Sequence, residues 1–389
     1  MLLFVRSSDA PIDAKLQRYM RAATKADIPH AALYWDRDKD AGNVDNENRI
    51  IFRAPLAYTA RSRTLLCLVL LNIFIMWTIW RRRHAMSLVH AIDLDTAVAA
   101  SLICKFTGIP YFYDIYDHYA DSRGLAGWKR KLFAWLEKHV IRGANTVVLA
   151  DQYRIQQHAA LPCDRILIIE NVPDIRRHNL PPRSSTQPDR PLIRIGYLGT
   201  LEPVCRGIED MLAVVEAMPQ VQLDIAGQGA LRNTVISAAK RCSRIRFHGP
   251  MQHSDGLALL QSLDVVMGLY YQNNPNHKFA APNKYFEHLL IGRPLLTSLG
   301  TPPGAKVERY ATGWAIQDGA SNIRGVLECI LTRPEEVERR GARALQLWEQ
   351  DFTDYSARVI DGQYVAAIRR ASRTAETVAR RTEISGKAT

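Results

Sequence analysis

Short apolar runs that alternate with helical stretches, twice over, constrain this chain more than any other feature of it. LLFV from Leu2, HAALYW from His30, SLVHAID from Ser87, IPYFYDI from Ile109 and TVVLAD from Thr146 read as strands with too little polar alternation to leave one face in water. Helical stretches separate them, as in DAKLQRYMRAATKADIP, where Leu16, Tyr19, Met20 and Ala23 recur at helical spacing. Strands covered on both faces and joined by helices form a parallel, doubly wound sheet. Ligands of such a sheet sit beyond the C-terminal ends of its strands.

The pattern stops at RRHNLPPRSSTQPDR, Arg176 to Arg190, which is rich in proline, arginine and serine, and restarts with LIRIGYLGT. At 389 residues the chain exceeds one ordinary core. The expected architecture is therefore α/β, with two Rossmann-like doubly wound domains: residues 1–175, a linker over 176–191, residues 192–345, and a closing segment 346–389 whose helix crosses back to the first domain ahead of a basic tail. No G-x-G-x-x-G follows the first strand, which argues against a dinucleotide oxidoreductase. Cys67, Cys104, Cys163, Cys205, Cys242 and Cys329 include no C-x-x-C pair, so the sequence supports neither a zinc site nor a disulfide framework, and a reducing cytosol fits. MLLFVRSSDAP is too short an apolar run for a signal peptide and reads as a first buried strand. The net charge of +12 implies attraction to polyanions without choosing among them.

The densest chemistry lies in HKFAAPNKYFEHLLIGRPLL, His277 to Leu296. Pro282 is placed to open a helix, with Asn283, Lys284 and Glu287 in its exposed first turn and a half. Unpaired N–H groups and the helix dipole favour an anion there, and Lys284 adds charge to the same spot. Glu287, three residues on, shares that face and can accept hydrogen bonds from hydroxyls. A phosphate beside a diol describes a nucleotide, whereas the plainer alternative is a surface helix with an ordinary Lys–Glu pair. Upstream, Gly199 and Thr200 let backbone approach a ligand, and Arg206 precedes a helix where its fork can grip a pyrophosphate. In the first half, Asp114, Asp117, His118 and Asp121 fall at a strand end, where a carboxylate can serve as base or merely cap the loop.

The pattern P-N-K-x-x-E-x-x-x-x-G-x-P resembles the nucleotide-sugar segment of the GT-B glycosyltransferases, most closely family 4. The resemblance is strongest from Ile193 to about Asp318. It implies that Glu287 holds the ribose hydroxyls, that Met251, after His248-Gly249-Pro250, lies against the base, and that Tyr116 and Asp117 occupy the places of the family's His and acidic residue. Asp117 is then the first choice for an acceptor-side role and Asp114 the second. The family's usual second glutamate, eight residues before Glu287, is Phe279 here, so a retaining route and an inverting route with Asp117 or Asp114 as base both stay open.

The implied function is transfer of a sugar from a nucleotide-sugar, UDP-sugar favoured, to a lipid-linked or other saccharide acceptor in bacterial surface polysaccharide synthesis. The donor is a substrate, and no cofactor or metal is expected, because the helix N-terminus, Arg206 and Lys284 can stabilise the leaving diphosphate. A nucleotide-sugar epimerase or hydrolase of the same fold, and a non-enzymatic polyanion- or membrane-binding protein, are the alternatives. Nucleic acid is not an expected partner, since no aromatic-basic interleaving occurs.

TLLCLVLLNIFIMWTIW, Thr64 to Trp80, is apolar around its whole circumference and flanked by arginines. A spanning helix needs about 20 apolar residues, and strand patterning resumes directly afterwards. The expectation for 64–83 is a helix partly packed on the sheet and partly dipped into an anionic membrane surface, with Trp77 and Trp80 at the interface; a wholly buried crossover helix is the alternative. This places the protein in the cytoplasm, peripherally on the inner face of the cell membrane. GWKRKLFAWLEKHVIRGAN reads as an amphipathic helix with a basic face, plainly solvated in the preferred reading, although its tryptophans and lysines could also touch membrane.

Overall fold

The computed structural model describes residues 1–8, 13–36, 48–54, 61–158, 161, 163–175 and 192–373, the side chains of 61–64 and 163 excepted. The linker 176–191 and the basic tail beyond residue 373 lie outside the described residues. Two compact units are formed, one from Met1–Glu170 with Tyr355–Thr389 and the other from Asn171–Asp354. The chain thus returns to the first unit at Tyr355, later than the 346 read from the sequence.

The first unit is a parallel sheet of β1 (Leu2–Arg6), β2 (His30–Asp36), β3 (Arg49–Arg53), β4 (Leu88–Ile92), β5 (Tyr111–Ile115), β6 (Thr146–Leu149) and β7 (Ile166–Ile168), in the order β3-β2-β1-β4-β5-β6-β7. Helices cover both of its faces. On one, Leu3, Val5, Leu33, Val89, Tyr113 and Val147 pack against Leu71, Ile75 and Ile79 of the Arg61–Arg81 helix, Ala97 and Cys104 of the Leu94–Thr107 helix, and Val140 and Ile141 of the Gly127–Gly143 helix. On the other, Phe4, Tyr19, His90, Phe112 and Tyr364 form an aromatic cluster, with the Tyr364 hydroxyl 2.6 Å from His90 Nδ1. The returning segment therefore closes the back of this sheet. Asp13 caps the Ala14–Lys25 helix by accepting from Lys15 N and Leu16 N.

The second unit repeats the plan with β8 (Ile193–Leu198), β9 (Val221–Ala226), β10 (Ile245–Gly249), β11 (Val265–Gly268), β12 (Leu295–Ser298) and β13 (Gly313–Ile316), ordered β10-β9-β8-β11-β12-β13. Strand order reverses at β1/β4 in one sheet and at β8/β11 in the other, and loops leaving adjacent strands diverge there to open a crevice. The two corrections to local reading are small. Gln152–Gln157 is a 3-10 turn where YRIQQHAAL suggested a helix, and β3, flanked by arginines and only three apolar residues long at its centre, was not foreseen.

Candidate functional site

At the β8/β11 reversal the second unit gathers the expected nucleotide residues. The Asn283–Ile291 helix begins one residue later than read, with Pro282 in extended conformation as its N-cap, and ends on Gly292 in the left-handed region at φ 66°. Its first turn points Lys284 across the tip of β8, where the ammonium lies 4.7 Å from the Tyr197 ring centroid. A side chain at Gly199 would displace the lysine, because a Cβ there would come 2.7 Å from Lys284 Nζ, and φ 149° disfavours one besides. The neighbouring Gly227 is as constrained, since its Cβ would collide with the Gly199 carbonyl. Two glycine turns thus leave the strand ends low and bring backbone close to the lysine. Burial pushes Lys284 down to about 8, a shift that Glu287 opposes and Arg206 reinforces. An ammonium held short of its ordinary solvation gains most from an added anion.

Glu287 was read as exposed, and the structure corrects this: only 4% of it meets solvent. The cover comes from His253, at the start of the His253–Gln261 helix, whose Nε2 stands 2.8 Å from Glu287 Oε1. That hydrogen bond and the carboxylate charge raise the His253 pKa against its desolvation. His253 is the residue that sequence reasoning missed. The offset of 34 residues between the partners carries no local pattern, although a histidine at a helix start following His248-Gly249-Pro250 was there to be weighed. Met251 lies partly buried in the same turn, Thr200 and Asn283 are exposed at their loop and helix ends, and Phe279 is partly buried in the 3-10 turn Pro275–Phe279.

Arg206 closes the loop after β8. Its guanidinium sits 4.9 Å over the Tyr270 ring, and its Nε donates to Glu202 at 2.8 Å. Between Thr200 and Arg206 the backbone is strained: Val204, β-branched and 65% exposed, adopts φ 68°. Such a conformation costs about 1–3 kcal/mol and collects at ligand-clasping loops. Lys284, Arg206, the helix N-terminus and the glycine turns together offer positive charge and bare N–H groups to a diphosphate, with Glu287 beside them as acceptor for hydroxyls.

The first unit separates the two candidate bases. Asp114 ends β5 fully buried, 3.0 Å from Lys15 Nζ, 2.8 Å from the Tyr19 hydroxyl and 3.5 Å from His90 Nε2. Burial alone would push its carboxyl up, but Lys15, His90 and Tyr19 outweigh it and hold the group at about 2. A permanently charged, fully enclosed carboxylate cannot collect a proton from a substrate hydroxyl, so Asp114 is corrected to an internal charge that locks the first helix to the sheet. Asp117 stands on the exposed side of the same loop, its Oδ1 3.1 Å from Arg154 Nη2. Tyr116 beside it is partly buried, donating its hydroxyl to Asp13 with Arg6 4.4 Å above its ring. His118 and Asp121 turn inward, 2.8 Å apart.

The 61–81 helix is half sunk. Leu71, Ile75 and Ile79 enter the core, while Leu65, Leu66, Val69, Leu70, Ile73, Trp77 and Trp80 are exposed, each tryptophan to 51%. The apolar exposure is not confined to it. The 94–107 helix, which packs against both the 61–81 and 127–143 helices, exposes Leu102 and Phe106, and the 127–143 helix exposes Trp128, Leu132 and Trp135. Phe106 and Trp128 are the barest, at 74% and 70%. The 127–143 helix, read with a solvated basic face or one whose tryptophans and lysines touch membrane, carries these large apolar side chains among exposed Lys129, Arg130 and Lys131. Arg81 and Arg83 stack on Trp77 and Trp80 at 5.3 and 4.5 Å. Among the described residues no helix is long and apolar enough to cross a membrane.

Residues 18–171 match the model of a glycosyl transferase 4-like domain. No curated protein sequence matches the chain. Among solved structures, HepE of Anabaena in complex with UDP and glucose is 15% identical, with 94% of this chain and 98% of that one aligned at a TM-score of 0.63. WaaG, a glycosyltransferase involved in lipopolysaccharide biosynthesis, is 15% identical over 93% and 99% of the two chains at 0.65. A putative UDP-N-acetylglucosamine 2-epimerase from Listeria monocytogenes is 13% identical over 95% and 96% at 0.61. At such identities the likeness speaks for the fold, which is GT-B.

Proposed function

We propose that this chain, a GT-B fold whose residues 18–171 match the model of a glycosyl transferase 4-like domain, is a glycosyltransferase using a UDP-sugar donor and a lipid-linked saccharide acceptor in surface polysaccharide synthesis. The observation that carries the donor assignment is the grouping of Lys284, Glu287 and Arg206 around the Gly199 turn at the strand reversal of the second unit. In this reading Lys284, Arg206, Asn283 and the N–H groups of the 283–291 helix hold the diphosphate and stabilise it as it leaves, so the chemical step calls for no metal there. Glu287 holds the ribose hydroxyls, Met251 lies against the base, and Gly199 and Thr200 supply backbone contacts. Asp117 acts on the acceptor side.

The exposed apolar and basic surface of the 61–81, 94–107 and 127–143 helices supports an acceptor met at an anionic membrane, on its cytoplasmic side. Apolar burial of about 25 cal/mol per Å² and about 1 kcal/mol per basic residue near such a surface give reversible adhesion. The test pairs two assays. Vesicles containing anionic lipid should sediment the protein at low salt, less at high salt, and hardly at all once Trp77, Trp80, Trp128 and Phe106 are replaced by serine. UDP release from UDP-sugars should require an added acceptor lipid. Interconversion of the free nucleotide-sugar without acceptor would make the protein an epimerase, and a wild type that ignores anionic vesicles would make its acceptor soluble.

A further inference from the structure

In the first unit, three buried side chains from three separate elements converge on one point. His118 stands at the N-cap of the Tyr119–Ser122 helix, Glu137 is inside the Gly127–Gly143 helix, and His158 ends the Gln152–Gln157 turn. One ligand atom from each lies within 4.8 Å of the others. Glu137 Oε2 is 3.4 Å from His118 Nε2 and 3.9 Å from His158 Nδ1. Bonds of about 2.0–2.1 Å at tetrahedral angles put donor atoms roughly 3.4 Å apart, which the His118–Glu137 pair already matches and the wider His158 contact reaches by a small movement of its ring. We propose that His118, Glu137 and His158 form a site for one divalent transition cation, with Zn2+ the best match to two imidazoles and a carboxylate.

The surroundings are built for that role. The Tyr113 hydroxyl donates to Glu137 Oε1 at 2.9 Å, leaving Oε2 for the shared point. His118 turns its other nitrogen to Asp121 at 2.8 Å, the carboxylate–histidine relation that orients metal-bound imidazoles. Asp121 is fixed in turn by Arg130 at 2.8 Å and Gln157 at 3.2 Å. Among the described residues no lysine or arginine hydrogen-bonds Glu137, and His158 turns Nδ1 toward Glu137 Oε2 at 3.9 Å. All three groups are buried, where an unpaired charge is costly, and a cation would supply the counter-charge of the carboxylate and take up the imidazole lone pairs.

The cation would act as a staple. His118 follows Asp117 directly, and His158 ends the turn that carries Arg154, the partner of Asp117. Pinning both histidines to Glu137 fixes the Asp117–Arg154 pair, which gives the site a positioning role on the acceptor side. The location does not depend on the donor assignment, and neither does the test.

The intact protein, stripped with chelator and dialysed, should be titrated with Co2+ and with Zn2+. The expected result is one Co2+ per chain with intense visible absorption of low coordination number, displacement by Zn2+, and a higher Tm of the loaded protein. Glu137→Gln and His158→Asn, confirmed folded by circular dichroism, should each weaken uptake at least tenfold. Should a variant fail to fold, the wild-type titration decides. A wild type that takes up no stoichiometric cation, or folded variants that bind as well as it does, would overturn the site whether or not the protein transfers sugar.

Discussion

Nucleotide affinity should depend on pH through Lys284. Its ammonium is held down at about 8 by burial, while an added diphosphate favours the charged form and restores a higher value in the complex. Binding therefore takes up a proton at high pH. Below pH 8 Lys284 is charged beforehand and affinity is full; as pH rises through 8 the free protein loses the charge, and the dissociation constant climbs about tenfold per unit. At pH 9 roughly one free molecule in eleven carries the proton, so UDP binding weakens about tenfold, or about 1.4 kcal/mol. Above pH 7 the phosphates themselves no longer titrate, since their second pKa is about 6. Calorimetric titration of UDP between pH 7 and 9.5, in buffers of different ionisation enthalpy, gives both affinity and protons absorbed. Lys284→Arg keeps its charge throughout, so its affinity should stay flat whatever its absolute level. A flat wild-type profile with no proton uptake above pH 8 would refute the placement of Lys284 against the diphosphate.

Three further outcomes follow from the same contacts. Glu287→Gln should cost about 1.5–3 kcal/mol of UDP affinity, a charged hydrogen bond's worth, and should lower the His253 pKa, which the Glu287 hydrogen bond raises; an imidazole NMR titration unchanged by the mutation would contradict the pairing. Asp117→Asn should reduce turnover far more than it weakens UDP binding, and an equal loss of donor affinity would take Asp117 off the acceptor side. Lys15→Met strands the buried Asp114 carboxylate and should cost about 3–5 kcal/mol in urea unfolding, most of it recovered in Lys15→Met/Asp114→Asn; a neutral single variant would show that Asp114 is not held as described.

The repeated strand-helix alternation was legible because parallel strands are covered on both sides and announce themselves as unbroken apolar runs. The 277–296 segment was legible for another reason, that a proline, a lysine and a glutamate at helix spacing carry their meaning locally. What stayed hidden depends on contacts far apart in the chain. Asp114 reads as a strand-end acid, and only Lys15, Tyr19 and His90 arriving from three other elements make it internal. His253 covers Glu287 from another helix, and His118, Glu137 and His158 meet only after the loops beyond β5 and β6 fold over the 127–143 helix. Trp128 and Trp135 were visible in sequence, but that they, Phe106 and Trp77 stay exposed on three neighbouring helices depends on how those helices pack.

In the proposed function a nucleoside diphosphate binds the second unit at Lys284 and Glu287. Thermal unfolding with UDP, GDP and dTDP tests it most directly, since a ligand bound only to the folded state stabilises it by about 2.7 kcal/mol at a hundredfold excess over Kd. The expected result is a concentration-dependent rise in Tm, largest with UDP, that is lost in folded Lys284→Ala and Glu287→Gln. A protein that none of the three nucleotides stabilises, or variants that respond as the wild type does, would contradict it.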